Sequence, residues 1–201
     1  QPSPGIARRL AMAQRLARGE LASLRAPMDA DRWPELAELA RRYYELARNA
    51  AGRLIDELRR AAEWVVPMQL CLRDVWRDNV LFRGSELSAI VDFGAIGVES
   101  VAGDIARLLG SFVADDRAAW QIGLTAYEAI RPLSPPEREL VETFDRANVT
   151  LSGLNWIGWV FQERRSFEQP AAVMARMEHF LGRVEALARS TIELQSRPMI
   201  W

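Results

Sequence analysis

Apolar residues recur every three or four positions along nearly the whole chain, and that pattern breaks once, between Pro67 and Gly94. Such spacing gives a helix one dry face, so the chain must fold mainly as packed helices. Ile6, Leu10, Ala13, Leu16 and Ala17 share the first face and predict a helix over 4–24. "RAPMDADRWP" reads as a connector, with Asp31 as an N-cap and Pro34 in the next first turn. Leu36, Leu39, Ala40, Tyr43 and Ala47 open a stripe that Ala51, Leu54, Ile55, Leu58 and Ala62 continue. They predict a long helix or helix pair over 33–65, bent at Gly52. Helical spacing returns at Val101 with Ile105, Leu108, Leu109 and Phe112. It predicts a helical remainder over 101–194, with helices at about Asp116–Ile130, Pro136–Phe144, Val149–Arg165 and Ala171–Leu194.

The interruption is a small β island. "MQLCL" is too short for a typical helix, and "NVLF" and "LSAIV" flank the turn "RGSE" as a hairpin would. The expected class is therefore mainly α with a small β-hairpin (α+β), as one domain over residues 1–201, a length that can bury a proper core. With 26 basic and 27 acidic residues the net charge is −1, so no broad field draws in nucleic acid or an anionic membrane. No apolar run reaches the ~20 residues of a membrane span, and "QPSPGIARRL" has no signal-peptide core. Cys71 is alone, which rules out a disulfide within the chain and fits a reducing, cytoplasmic setting.

Inside the island, "CLRDVWRDNVLF" crowds Arg73, Asp74, Arg77, Asp78 and Asn79 between apolar runs. Asp74 and Asn79 lie five residues apart on the loop that enters the hairpin, and "IVDFG" puts Asp92 at its exit. A hairpin this short brings its ends together, so the three side chains are expected to converge facing a cleft. Two carboxylates and an amide oxygen are hard ligands, suited to Mg2+. A carboxylate beside metal and phosphate can orient a hydroxyl and accept its proton. Asp and Asn also suit ordinary turns, which is the competing account of the same residues.

The Asp74-to-Asn79 spacing and the "DFG" at Asp92–Gly94 resemble the catalytic loop and metal-binding triplet of protein kinases. The helical surroundings are more similar to the aminoglycoside phosphotransferase and choline kinase group, whose loop reads His-Gly-Asp, two or three residues, then Asn. "VDFGAIGVESVAGDIARLL" resembles that group's continuation, and the likeness runs from about Pro67 to Phe112. It implies the large C-terminal lobe of a protein-kinase-like fold, with ATP as phosphoryl donor, Mg2+, and a small-molecule hydroxyl acceptor. Asp74 would be the catalytic aspartate, Asn79 and Asp92 the magnesium ligands, and Asp104 the structural support of the loop. A plain acidic first turn remains an equal account of Asp104. The chain departs from the group at Leu72-Arg73, in place of His-Gly, and at Trp76, where many members have histidine.

A kinase also needs a glycine-rich loop and a strand lysine on the nucleotide phosphates. The chain has no lysine, no such loop, and no strand pattern before Pro67. The N-terminal, nucleotide-binding lobe is expected to be absent here and supplied upstream in a parent chain or by a partner, leaving this chain alone inactive. Val75, Trp76, Val80 and Phe82 would then form a bare apolar docking face. The alternative is a non-catalytic pseudokinase or scaffold lobe that binds a protein partner, and a third reading is a helical binding module. Trp156, Trp159 and Glu163 share one helix face and form a possible substrate pocket for an amine, although large aromatics also pack in cores. His179, the only histidine, reads as a helix flank and makes hydrolase chemistry a minor alternative.

Overall fold

The computed structural model describes residues 1–24 and 33–196, with side chains through 190; Asp31 and the rest of the stretch 25–32 lie outside the described residues. Two compact units make up the structure. One takes in residues 1–9 and 57–145, the other 10–56 and 146–201. The helices are α1 (Pro4–Ala17), α2 (Pro34–Ala61), α3 (Ala102–Val113), α4 (Arg117–Glu128), α5 (Pro135–Ile157) and α6 (Pro170–Ser196). The strands are β1 (Gln69–Cys71), β2 (Val80–Arg83), β3 (Glu86–Ile90) and β4 (Gly97–Glu99).

The first unit holds every strand. β2 and β3 form the expected hairpin, with Val80 opposite Ile90 and Leu81 opposite Ala89 before a register shift at Phe82. Gly84 turns it at φ 63°, a conformation only glycine adopts without strain. β1 pairs antiparallel with β4, Leu70 opposite Val98. That partner strand is a departure from the sequence reading, because three residues carry too little periodicity to stand out. Ile105 and Ala106 of α3 and Leu140, Val141 and Phe144 of α5 are buried. Asp116 caps α4, its carboxylate accepting the Ala118 and Ala119 amides at 3.0 and 3.1 Å. Val75 and Trp76 are also buried, which corrects their expected place on a bare face. They anchor the loop they belong to. Phe82 is 51% exposed, as expected, and Leu81, Leu87 and Phe93 are exposed as well.

In the second unit Leu36, Ala37, Ala40, Tyr43, Ala47, Ala51, Leu54 and Ile55 line the buried stripe of α2, which runs unbroken through Gly52. The Tyr43 hydroxyl donates to the Val149 carbonyl at 2.7 Å and accepts the Gly153 amide at 3.1 Å. A Cβ at Gly153 would come within 2.6 Å of the Tyr43 ring, so glycine is required there. The two helices expected at 136–144 and 149–165 are one helix, α5. Residues 145–148, Asp-Arg-Ala-Asn, contain no breaker, and Ala147 and Asn148 are buried. A π-helical turn, Gly158–Gln162, ends it.

Candidate active site

The loop between β1 and β2 is held from below by α3. Asp104, in the first turn of α3, accepts hydrogen bonds from the Leu72 amide at 2.8 Å and the Arg73 amide at 2.7 Å. Burial pushes the Asp104 carboxyl above the ordinary aspartate value, against the downward pull of those two amides and of Arg107. The clamp holds a bent backbone, since Arg73 sits at φ 65°, in the left-handed region. This is the position at which the resemblance predicts glycine. Further along, the Arg77 amide donates to Ser111 Oγ at 3.0 Å.

Asn79 ties the loop to both ends of the hairpin. Its Nδ2 donates to the Asp74 carbonyl at 2.9 Å, and its own carbonyl accepts the Val91 amide at 2.9 Å. These bonds bring the backbones of Asp74, Asn79 and Val91–Asp92 to the open end of the hairpin. Asp92 follows at φ 64°, a conformation that Asp tolerates better than most residues, and its Oδ1 accepts the Gly94 amide at 3.4 Å. With Nδ2 engaged, Asn79 keeps Oδ1 for a ligand. Among the described residues no three His, Cys, Asp or Glu side chains gather around a point. The Asn79 amide oxygen and the Asp92 carboxylate are each hard oxygen donors, the chemical type that Mg2+ takes alongside waters and phosphate oxygens.

The Asp74 carboxylate, 40% exposed, forms an ion pair with Arg107 of α3. The Arg107 guanidinium also lies 5.7 Å from the Trp76 ring centre. Asp74 opens on a cavity of about 250 Å³ that Arg8, Arg9, Arg73 and Arg107 help to line, while Asn79 and Asp92 lie outside its lining. The sequence reading missed these arginines. The one signal was local: Arg73 directly precedes Asp74, and Arg107 follows Asp104 by three residues on the same helix face. Cys71 is no rival nucleophile, because burial, with Asp104 and Glu99 nearby, pushes its thiol up to about 11.

The aromatic group named from the sequence belongs to the second unit. Trp156 and Trp159 meet edge to face at 5.1 Å, and Phe167 stands 5.7 Å from Trp156. Arg176 lies over Trp156 at 5.2 Å and Arg165 over Trp159 at 4.9 Å. Glu163 accepts from Arg165 at 2.7 Å. The chain's own arginines thus lie over these two rings. His179 stands beside Phe180, ring centres 5.9 Å apart.

A spaced aspartate and asparagine, a clamp from the next helix and a DFG turn define a kinase-type phosphotransferase loop. Comparison with known proteins agrees: the sequence pattern of the phosphotransferase enzyme family (APH) matches residues 2–140, and the chain belongs to that family. Its relatives include the homoserine kinase of Methylocella silvestris, 31% identical over 128 residues, which are 59% of this chain and 40% of that protein. Another is the homoserine kinase of Methylobacterium sp. (strain 4-46), 32% identical over 114 residues, 53% of this chain and 36% of that protein. That of Agrobacterium fabrum is 30% identical over 95 residues, 44% and 30% of the respective chains. The chain thus spans less than half the length of the curated relatives it matches. No solved structure matches it.

Proposed function

We propose that the chain supplies the catalytic loop of an ATP-dependent phosphotransferase that acts on a hydroxyl of a small molecule. The observation that carries the reading is the bonding of Asn79 to both the Asp74 carbonyl and the Val91 amide, which holds the loop and the DFG segment at one place. Asp74 accepts the proton of the acceptor hydroxyl. The hydroxyl oxygen forms a bond to the γ-phosphorus, the bond from that phosphorus to the β–γ bridging oxygen breaks, and ADP leaves. Asn79 Oδ1 and the Asp92 carboxylate would hold Mg2+, which would neutralise charge on the phosphates. Asp104 fixes the loop through its main chain, so Asp74 is presented in one orientation.

The nucleotide-binding lobe, in this reading, comes from outside these residues and covers the β segments. The exposure of Phe82 at 51%, Phe93 at 54% and Leu87 at 60% supports such a cover. An amino-acid alcohol of the homoserine type is the first acceptor to try, since relatives bear that name. The test is transfer of labelled γ-phosphate by the full-length protein to a panel of alcohols, with Asp74→Asn in parallel. Transfer abolished by Asp74→Asn supports the proposal. Transfer that survives the substitution removes Asp74 from its role, and nucleotide binding without transfer to any acceptor favours a pseudokinase.

A further inference from the structure

We propose that the cavity beside Asp74 is an oxyanion pocket that takes the carboxylate or phosphate group of the acceptor. The proposal rests on the phosphotransferase reading and narrows its substrate class. Four arginines and three acids line the cavity. The acids are already engaged by the chain's own groups. Glu99 is buried and takes Ser3 Oγ at 2.5 Å, Arg8 at 3.1 Å and the Ser100 amide at 3.0 Å. Asp104 takes two loop amides, and Asp74 takes Arg107.

Arg8 and Arg107 pair with Glu99 and Asp74, but Arg73 is not matched in that way. Arg73 forms no ion pair with a carboxylate among the described residues, and its guanidinium lies so close over Gly97 that a Cβ there would be 2.5 Å from Nη1. Arg9 packs over the Phe144 ring at 4.6 Å and donates to the Gly5 carbonyl at 3.3 Å. Burial, then repulsion from Arg107, Arg8 and Arg73, against the upward pull of Glu99, brings the Arg9 guanidinium down to about 10, so it stays charged at neutral pH. Like charges held this close are relieved by an anion, and planar guanidinium groups bind carboxylate and phosphate in a fork. The same field repels polycationic acceptors of the aminoglycoside kind. At about 250 Å³, below the ~300 Å³ at which drug-sized pockets begin, the cavity suits a small acceptor. An anion bound there stands beside Asp74, which places a hydroxyl a few bonds away at the proton acceptor.

The experiment uses the full-length protein and paired acceptors that differ only in charge. L-Homoserine is set against its carboxamide, and glycerol 3-phosphate against glycerol, which separates the carboxylate source from the phosphate source. One anionic member of a pair is expected to show a KM about tenfold or more below its neutral partner. Arg73→Met, which keeps the backbone demand of position 73, and Arg9→Met are expected to erase that gap, and Arg73→Lys to restore part of it. A neutral partner used as well as the anionic one in the wild type overturns the proposal. Titration calorimetry with inorganic phosphate and with acetate gives a readout without chemistry. If no alcohol is phosphorylated, the phosphotransferase reading fails by itself and the calorimetry still decides the pocket. Saturable binding of either anion that Arg73→Met abolishes supports it; no saturable binding of either to the wild type overturns it.

Discussion

Asp74 is the residue on which the proposed chemistry turns. Asp74→Asn keeps the size of the side chain but removes the proton acceptor. In the full-length protein it is expected to lower phosphoryl transfer by roughly 10²–10⁴-fold, the range of general base catalysis, with nucleotide affinity nearly unchanged in calorimetric titration. Asp92→Asn is expected to weaken magnesium-dependent nucleotide binding in the same titration. Arg73 makes a different prediction, about stability. A non-glycine residue in the left-handed region costs about 1–2 kcal/mol, and Arg73 is held there at φ 65°. Arg73→Val, with a branched Cβ, is expected to lower stability by more than ~1 kcal/mol in urea unfolding. Arg73→Gly is expected to be neutral or stabilising, since relief of strain offsets the ~0.5–1 kcal/mol entropy of glycine. At this scale the spacing of Asp74, Asn79, Asp92 and Asp104 was legible because the hydrogen bonds around them run within the loop and hairpin or to the next helix. The gathering of Arg8, Arg9, Arg73 and Arg107 was not, because it depends on how the chain's first residues, the loop and α3 pack in three dimensions.

Among the elements, the start of α5 carries the clearest pH signature. Ser134 and Glu137 form a capping box: Glu137 Oε2 accepts the Ser134 amide at 2.9 Å and its hydroxyl at 2.8 Å, and Ser134 Oγ accepts the Glu137 amide at 3.4 Å. Arg131 adds a bond to Oε1 at 2.7 Å, and the Glu137 side chain is 2% exposed. Burial alone would push this carboxyl up, but the Ser134 amide, Arg131 and the Ser134 hydroxyl hold it below its ordinary 4.5. A depressed carboxyl stabilises the fold fully above its unfolded value and loses that contribution as pH falls through the folded one. Glu137→Gln is expected to cost about 1–3 kcal/mol at pH 7 and to flatten the fall of the urea midpoint below pH 4.5. The motif Ser-Pro-Pro-Glu is visible in the sequence, as are most helix starts. The continuity of α5 was not legible, because it is decided by burial of Ala147 and Asn148 rather than by any local stop signal.

For the molecule as a whole, the open apolar surface on the β segments is the feature with a direct physical test. Leu81, Phe82, Leu87 and Phe93 are each 44–60% exposed, and the proposed lobe would cover them. In hydrogen exchange, amides of β2 and β3 are expected to be better protected in the full-length protein than in the 201-residue chain alone. Equal protection in the two would remove the covering lobe from the proposal. The short chain alone is further expected to transfer no phosphate, since its sequence has neither lysine nor a glycine-rich loop to hold the nucleotide.

The Asp104 clamp has a consequence for lineage. It grips Leu72 and Arg73 by their amides alone, and every residue except proline has one. Neither bond uses a side chain at position 72 or 73, so the clamp itself survives Leu-Arg where relatives are expected to carry His-Gly, while the left-handed backbone at 73 still limits what can stand there. Descent in such proteins is better traced by the intervals from Asp74 to Asn79, Asp92 and Asp104 than by the letters that precede Asp74.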